Sequence, residues 1–266
     1  MKKVNEKIIE IWNEDADSDW YMRSRTDDFI KSIIGNPISM FHQTTWEVIN
    51  SVFPDLKGKK ICVPSSGDNE AVFAFAALGA KVTSCDICEK QLEHAKRIAN
   101  NYSFDVEFVL QNTMELIDIK SSEYDFIYTS EGVHVWIDDL FSMYKNIYRV
   151  LKPGGVYINY EIHPFGRPFK DELGKIHIEK LYENTGPFSN GTNYHWRLQD
   201  IINAITISGF IIKRLEEMHD EKDKGHFWFY EDKRAFMTQE EIEKYYNWET
   251  NPLAALPQWF TVYAVK

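Results

Sequence analysis

Three cysteines among 266 residues, Cys62, Cys85 and Cys88, are too few and too clustered for the disulfide framework of a small secreted protein. Cys85 and Cys88 have the C-x-x-C spacing of metal and redox sites, but no second pair completes a zinc site, so no metal is expected. Long apolar runs are missing too. Nothing approaches the roughly twenty residues of a membrane span, and the opening MKKVNEKIIEIW leads into acidic residues with no apolar stretch or small-residue cleavage site behind it. A cytoplasmic chain without membrane contact is the expectation. Basic clusters are also lacking, and a formal net charge of -11 disfavours an extended contact with nucleic acid or an anionic surface. The chain has no internal repeat and no low-complexity segment.

What is present, at 44% hydrophobic residues, is enough apolar material for one elaborated globular domain. Its organising stretch is residues 59–86, KKICVPSSGDNEAVFAFAALGAKVTSCD. Ile61, Cys62 and Val63 form an apolar run too short for a helix, which predicts a buried strand. The chain turns at 64–68, and AVFAFAALGA then predicts a helix apolar on nearly all sides, with Asp68 as its N-cap and Gly79 as its C-cap. A second strand over 81–85 ends on Asp86. A right-handed parallel crossover sets the first loop beside Asp86 at the carboxyl edge of the sheet, where open α/β folds bind ligands, so Asp86 is a candidate for ribose hydroxyls.

The helix begins Asp68-Asn69-Glu70, and carboxylates there compete with a bound phosphate. Only Gly67 stands where a dinucleotide loop wants three glycines. Cationic S-adenosylmethionine suits this loop better than a dinucleotide, although Asp68 and Glu70 acting only as capping residues is the plainer alternative.

Residues 1–57 precede this unit and read as two or three helices, rich in aromatics such as Trp12, Trp20 and Tyr21, forming either a lid or a scaffold. Beyond Asp86, Leu92, Ala95, Ile98, Ala99 and Tyr102 make the stripe of an amphipathic crossover helix. A third strand over 106–110 runs into Asn112, Thr113 and Met114, which can hydrogen-bond and cover an adenine, or form an ordinary turn cap. A fourth strand over 124–130 runs into EGVHVW, placing Ser130, Glu131, Gly132, His134 and Trp136 at the mouth of the pocket. A regular helix ends at the turn Lys152-Pro153-Gly154-Gly155, and 156–162 is the fifth strand. Residues 163–197 have little periodicity and suggest a functional cap. A helix ending at Gly209, a sixth strand, a charged and aromatic stretch over 217–256 that includes Phe227, Trp228, Phe229 and Tyr230, and a last strand WFTVYAV complete the chain.

In this order the motifs ICVPSSGDNE, SCDIC, QNTMEL, YDFIYTSEGVHVW and RVLKPGGVYI resemble those of the class I S-adenosylmethionine-dependent methyltransferases over nearly the full length. The resemblance implies a Rossmann-like, doubly wound α/β fold with a seven-stranded sheet whose last strand is antiparallel. It implies residues 58–266 as the methyltransferase-like domain, with cap insertions near 163–197 and 217–256. It further implies that Pro64, Ser65, Ser66, Gly67 and Asp68 surround the methionine part of the cofactor. Asp86 would hold the ribose with Ile87 beside the adenine, Asn112, Thr113 and Met114 would take the adenine, and Ser130 and Glu131 would lie close by. A small-molecule acceptor and a monomer or homodimer are expected. His134, Tyr160, His163 and His195 are the candidates for a general base, should the acceptor need one. The rival readings are a nucleotide-dependent oxidoreductase and a non-catalytic module that binds the same cofactor.

Overall fold

The computed structural model describes residues 2–170, 175–221 and 237–266. Among them, seven strands form one sheet: β1 (Lys60–Pro64), β2 (Lys81–Asp86), β3 (Val106–Leu110), β4 (Tyr124–Ser130), β5 (Leu151–Ile162), β6 (Ile211–Met218) and β7 (Trp259–Val265). Their order is β3-β2-β1-β4-β5-β7-β6. The first five are parallel to one another, and β7 runs antiparallel to both β5 and β6. The seven-stranded mixed sheet is the one the motif order implies.

Ile61, Cys62 and Val63 of β1 are all buried, as a parallel strand covered on both faces requires. Ile61 pairs with Val82 on one side and with Phe126 on the other. The strand order therefore reverses between β1 and β4, and the loops leaving their carboxyl ends diverge around a crevice.

One face of the sheet carries α3 (Asp27–Gly35), α4 (Gln43–Val52), α5 (Glu70–Ala77) and α6 (Glu89–Tyr102), and the other carries α7 (Leu140–Val150) and α8 (Leu198–Ile207). Helix α5 is apolar all round because it is sandwiched. Phe75 meets Phe126 and Tyr128 of β4 at 5.5 and 5.4 Å and Phe41 of the N-terminal segment at 4.9 Å. Two further helices, α1 (Lys2–Asp15) and α2 (Asp19–Arg23), precede this layer.

Several local expectations differ from the structure. The cap of α5 is Asn69, whose side chain accepts from the Ala71 N–H at 2.8 Å, because Asp68 is drawn away to Arg25. Residues 152–155 are not a turn between elements but belong to β5, where the register with β4 shifts between Tyr124 and Phe126 and Gly154 takes a φ of 74° that accommodates the irregularity. The last strand, β7, pairs with β6 as well as with β5, and β6 is the edge of the sheet. Phe227, Trp228, Phe229 and Tyr230 lie outside the described residues. No helix among the described residues is long and apolar enough to cross a membrane.

Candidate active site

The crevice between β1 and β4 deepens into a cavity of about 620 Å³. Its floor is the loop after β1. Ser65 takes a left-handed φ of 53° and its hydroxyl meets the Thr113 hydroxyl at 2.6 Å, tying the first loop to the loop after β3. The Ser66 hydroxyl donates to the Val63 carbonyl at 2.7 Å and meets the Ser84 hydroxyl at 2.8 Å. Hydroxyls thus brace a loop that a glycine-rich sequence would leave to its backbone alone.

Gly67 has a φ of 50°, and a Cβ built there would come within 3.1 Å of the Gln91 side chain, so this one position needs glycine on both counts. Its N–H donates to Asp86 Oδ2 at 2.8 Å, while Asp86 Oδ1 accepts from the Cys88 N–H at 2.7 Å. Burial, augmented by the Asp68 charge, pushes the Asp86 carboxyl up to about 6, although these backbone donors pull the other way. On the opposite wall Glu131 stands at a φ of 65° and accepts from the Asn69 side-chain amide at 3.2 Å, which also donates to the Ser130 hydroxyl at 3.4 Å. A non-glycine residue held left-handed at a cavity wall is strain of the kind found at ligand sites.

Eleven of the twelve residues singled out for the cofactor line this cavity: Ser65, Ser66, Gly67, Asp68, Asp86, Ile87, Asn112, Thr113, Met114, Ser130 and Glu131. Pro64 does not, because it is still the last residue of β1, paired with Cys85 and buried in the sheet. Asn112 uses its side-chain oxygen to accept from the Met114 N–H at 2.9 Å, so the turn-cap role is realised there.

None of the four base candidates lines the cavity. His134 is 4% exposed, its Nε2 is 2.6 Å from the Tyr144 hydroxyl, its ring stacks on Phe260, and burial holds its pKa below the usual value. Its Nδ1 lies 3.4 Å from Glu161 but makes no hydrogen bond, and a neutral imidazole makes this no ion pair. Tyr160 is buried against Trp259 at 4.5 Å, and burial raises its hydroxyl. His163 accepts from the Phe165 N–H through Nδ1 and meets Glu217 through Nε2 at 2.8 Å, capping a short 3-10 turn. His195 packs on Phe188 at 4.6 Å, with burial and then the Arg167 and Lys180 charges pushing it down to about 4. For His134 the expected outcome follows directly. His134→Phe should cost about 1–3 kcal/mol, by stripping a buried tyrosine hydroxyl of its partner, and leave the methyl-transfer rate within about twofold. Melting temperature and initial rate measured on the same sample check it; a lost rate at unchanged melting temperature returns His134 to the chemistry.

The cavity also has walls from the N-terminal segment, for which the sequence left lid and scaffold equally open. Trp12 of α1 and Tyr21 of α2 line it, with Phe29, Gln91 and Trp259. Trp12 meets Trp136 edge-on at 5.1 Å and Tyr21 at 6.0 Å, so the N-terminal helices roof the site. The signal was the aromatic cluster at 12–21, which is equally compatible with packing. Neither proposed cap, 163–197 or 217–256, contributes a described residue to the lining apart from Trp259 just beyond the second. Cys62 and Cys85 are free thiols 3.7 Å apart in the core and Cys88 is buried, and among the described residues no group of histidines, cysteines and carboxylates is arranged to hold a metal.

S-Adenosylmethionine can be tested against these residues directly. A half-buried carboxylate stands at the end of β2, Gly67 at a φ of 50° leaves little room for a Cβ, and the Gln91 amide nitrogen is buried with no hydrogen-bond partner among the described residues, as a site built around a polar ligand leaves it. The residues fit the group.

A protein-family model described as methyltransferase domain matches residues 64–159. The chain is 27% identical to the uncharacterized methyltransferase YbaJ of Bacillus subtilis, over 73% of this chain and 76% of that protein. Among solved structures it is similar to an S-adenosylmethionine-dependent methyltransferase from Mesorhizobium loti, with a TM-score of 0.62 and 19% identity over 85% of this chain and all of that one. It is also similar to phosphoethanolamine N-methyltransferase 2 of Haemonchus contortus in complex with S-adenosyl-L-methionine, with a TM-score of 0.58 and 19% identity over 96% of this chain and 60% of that one. The structures speak to the fold and the sequence matches to the activity. Residues 64–159 form a methyltransferase domain, within a Rossmann-like fold of the kind seen in S-adenosylmethionine-dependent methyltransferases. The Haemonchus contortus complex holds S-adenosyl-L-methionine, and the methyltransferase-domain match sets aside the oxidoreductase reading.

Proposed function

We propose that this enzyme methylates a small-molecule acceptor inside the roofed cavity, with the cofactor held along the β1 and β2 loops and the acceptor admitted beneath Trp12, Tyr21 and Trp136. What carries the reading is the convergence of eleven separately chosen residues on one cavity of about 620 Å³, the size class of small-ligand sites. A lining that comes from both the sheet edge and a helical roof suits a molecule that can be enclosed, and suits an RNA or a folded protein poorly.

In this reading Asp86 accepts from the ribose hydroxyls, Asn112 and Thr113 meet the adenine edge with Ile87 and Met114 against its faces, and the 65–68 loop follows the methionine part. Bound S-adenosylmethionine supplies a methyl group already activated by its sulfonium, so the chain's contribution is alignment of the acceptor and exclusion of water. Trp12, Tyr21 and Phe29 exclude the water. Burial, then the Asp68 charge, raises the Tyr21 hydroxyl so far that it stays protonated. With no histidine among the described residues that line the cavity, the acceptor is one that is already nucleophilic, or that sheds its proton to a carboxylate such as Glu131. We place the enzyme in the cytoplasm as a monomer or homodimer, with residues 1–57 as a cover on the 58–266 domain.

The test is transfer of a labelled methyl group to pooled metabolites, lipids, protein and RNA in parallel. Label is expected in the metabolite pool alone. Label confined to protein or RNA sinks the small-molecule reading, and no label in any pool with cofactor bound returns the non-catalytic module.

A further inference from the structure

Arg25 lies between α2 and α3, and its guanidinium is almost wholly buried. Each donor nitrogen has a separate destination: Nε pairs with Asp68 of the cofactor loop, Nη1 donates to the Ala16 carbonyl just past α1, and Nη2 donates to Gln91 Oε1 at 2.7 Å. The Tyr21 ring lies against the same guanidinium, 5.5 Å from centroid to the central carbon. One side chain therefore fastens the roof of the cavity to both flanks of its floor.

The bond to Gln91 has a chemical consequence. A guanidinium has donors and no acceptor, so the Gln91 amide must turn its oxygen to Arg25 and its NH2 away. That nitrogen is buried and has no hydrogen-bond partner among the described residues, while Gln91 is 3% exposed and lines the cavity. The side chain packs against Gly67: a Cβ built on Gly67 would lie 3.1 Å from Gln91 Cβ and 3.7 Å from Asp86 Oδ2, so the stem of Gln91 lies beside the carboxylate assigned to the ribose. Burying an amide donor unpaired is costly, and native folds rarely do so without a ligand or water to complete it.

We propose that Gln91 is a cofactor-binding residue, donating its amide N–H to an oxygen of the ribose and methionine portion of S-adenosylmethionine, and that Arg25 is the positioning residue that fixes the amide in the donating orientation. The assignment rests on the cofactor occupying this cavity, as set out above. It also gives the roof a part in cofactor binding, because Gln91 is oriented only while the N-terminal helices are docked.

Gln91→Glu separates binding from bracing. The carboxylate pairs with Arg25 at least as well as the amide oxygen does, but it has no proton to donate and sets a negative charge where an acceptor oxygen would sit. Calorimetric titration of the full-length variant with S-adenosylmethionine and S-adenosylhomocysteine should show Kd raised at least tenfold, with the unliganded melting temperature equal to or above wild type. Gln91→Met, which has no polar atom, should show the same loss of affinity and serves in its place if Gln91→Glu is insoluble. Arg25→Lys keeps a charge on Asp68 but lets the amide turn, so it should raise Kd three- to tenfold in the wild-type background. It should add nothing in the Gln91→Glu background, since the two act through one group. Wild-type binding with Gln91→Glu within threefold of it overturns the assignment, and additive effects of Arg25→Lys overturn the positioning role. A wild type that binds neither ligand overturns the cofactor site itself.

Discussion

Asp86→Ala is expected to weaken S-adenosylmethionine binding by at least tenfold and to change its pH dependence. The carboxylate is the acceptor for two backbone N–H groups, Gly67 and Cys88, and in the proposed complex for ribose hydroxyls as well. Hydrogen bonds to a charged group contribute about 1.5–3 kcal/mol each, and 1.4 kcal/mol is a factor of ten in Kd, so the loss of a single one reaches the stated effect. Every partner donates, so the ionised form is the one that binds. With the carboxyl at about 6, affinity in the wild type should climb as pH rises from 5 and level off above 7, and the variant should be flat over the same range. For stability the sign is opposite. A folded-state carboxyl above its ordinary 3.8 penalises the ionised fold, so the penalty is absent below about 4, grows between 4 and 6, and is complete above 6. Titration calorimetry at three pH values, with melting curves alongside, measures both. An Asp86→Ala chain that is folded and keeps wild-type affinity removes the ribose assignment.

The legible part of this site was the part carried by local pattern. A short apolar strand, a tight polar loop, a buried helix and a second strand ending on an acid determine one crossover, and the geometry of that crossover puts Asp86 beneath Gly67 without further information. The roof was not legible in the same way, because Arg25 and Asp68 are 43 positions apart and nothing local marks them as partners. Pattern did say that residues 68–70 begin a helix, but it pointed to Asp68 as the cap. Asn69 took the cap because Asp68 was claimed from outside the segment.

The histidines illustrate a different limit. Polar residues at the carboxyl ends of strands usually face ligand, which made His134, Tyr160 and His163 reasonable candidates. Here β7 runs between β5 and β6, and its first residues, Trp259 and Phe260, lie against Tyr160, His134 and His163. Knowing that WFTVYAV is a strand does not reveal which strands it enters between, and that placement is what turns three candidate bases into core residues.

Phe75→Ala should be the most destabilising single change in the cofactor half of the molecule. The ring is fully buried and touches three others: Phe41 from the N-terminal segment and Phe126 and Tyr128 from β4. Truncating a buried phenylalanine costs about 3–5 kcal/mol through lost transfer energy and the residual cavity. In a chain of this size each kcal/mol moves the melting temperature by about 2–4 °C, so a fall of about 10 °C is expected. The form of the transition matters more than its midpoint. Because Phe75 is the contact that α5 offers simultaneously to β4 and to Phe41, weakening it loosens cover and sheet together, and calorimetry should record one lower transition. Two separated transitions, the first of them insensitive to S-adenosylmethionine, would make residues 1–57 an independent unit and deprive the cavity of a roof that unfolds with its floor. One transition that rises with added cofactor ties the N-terminal helices, α5 and the β1 loop into a single cooperative site.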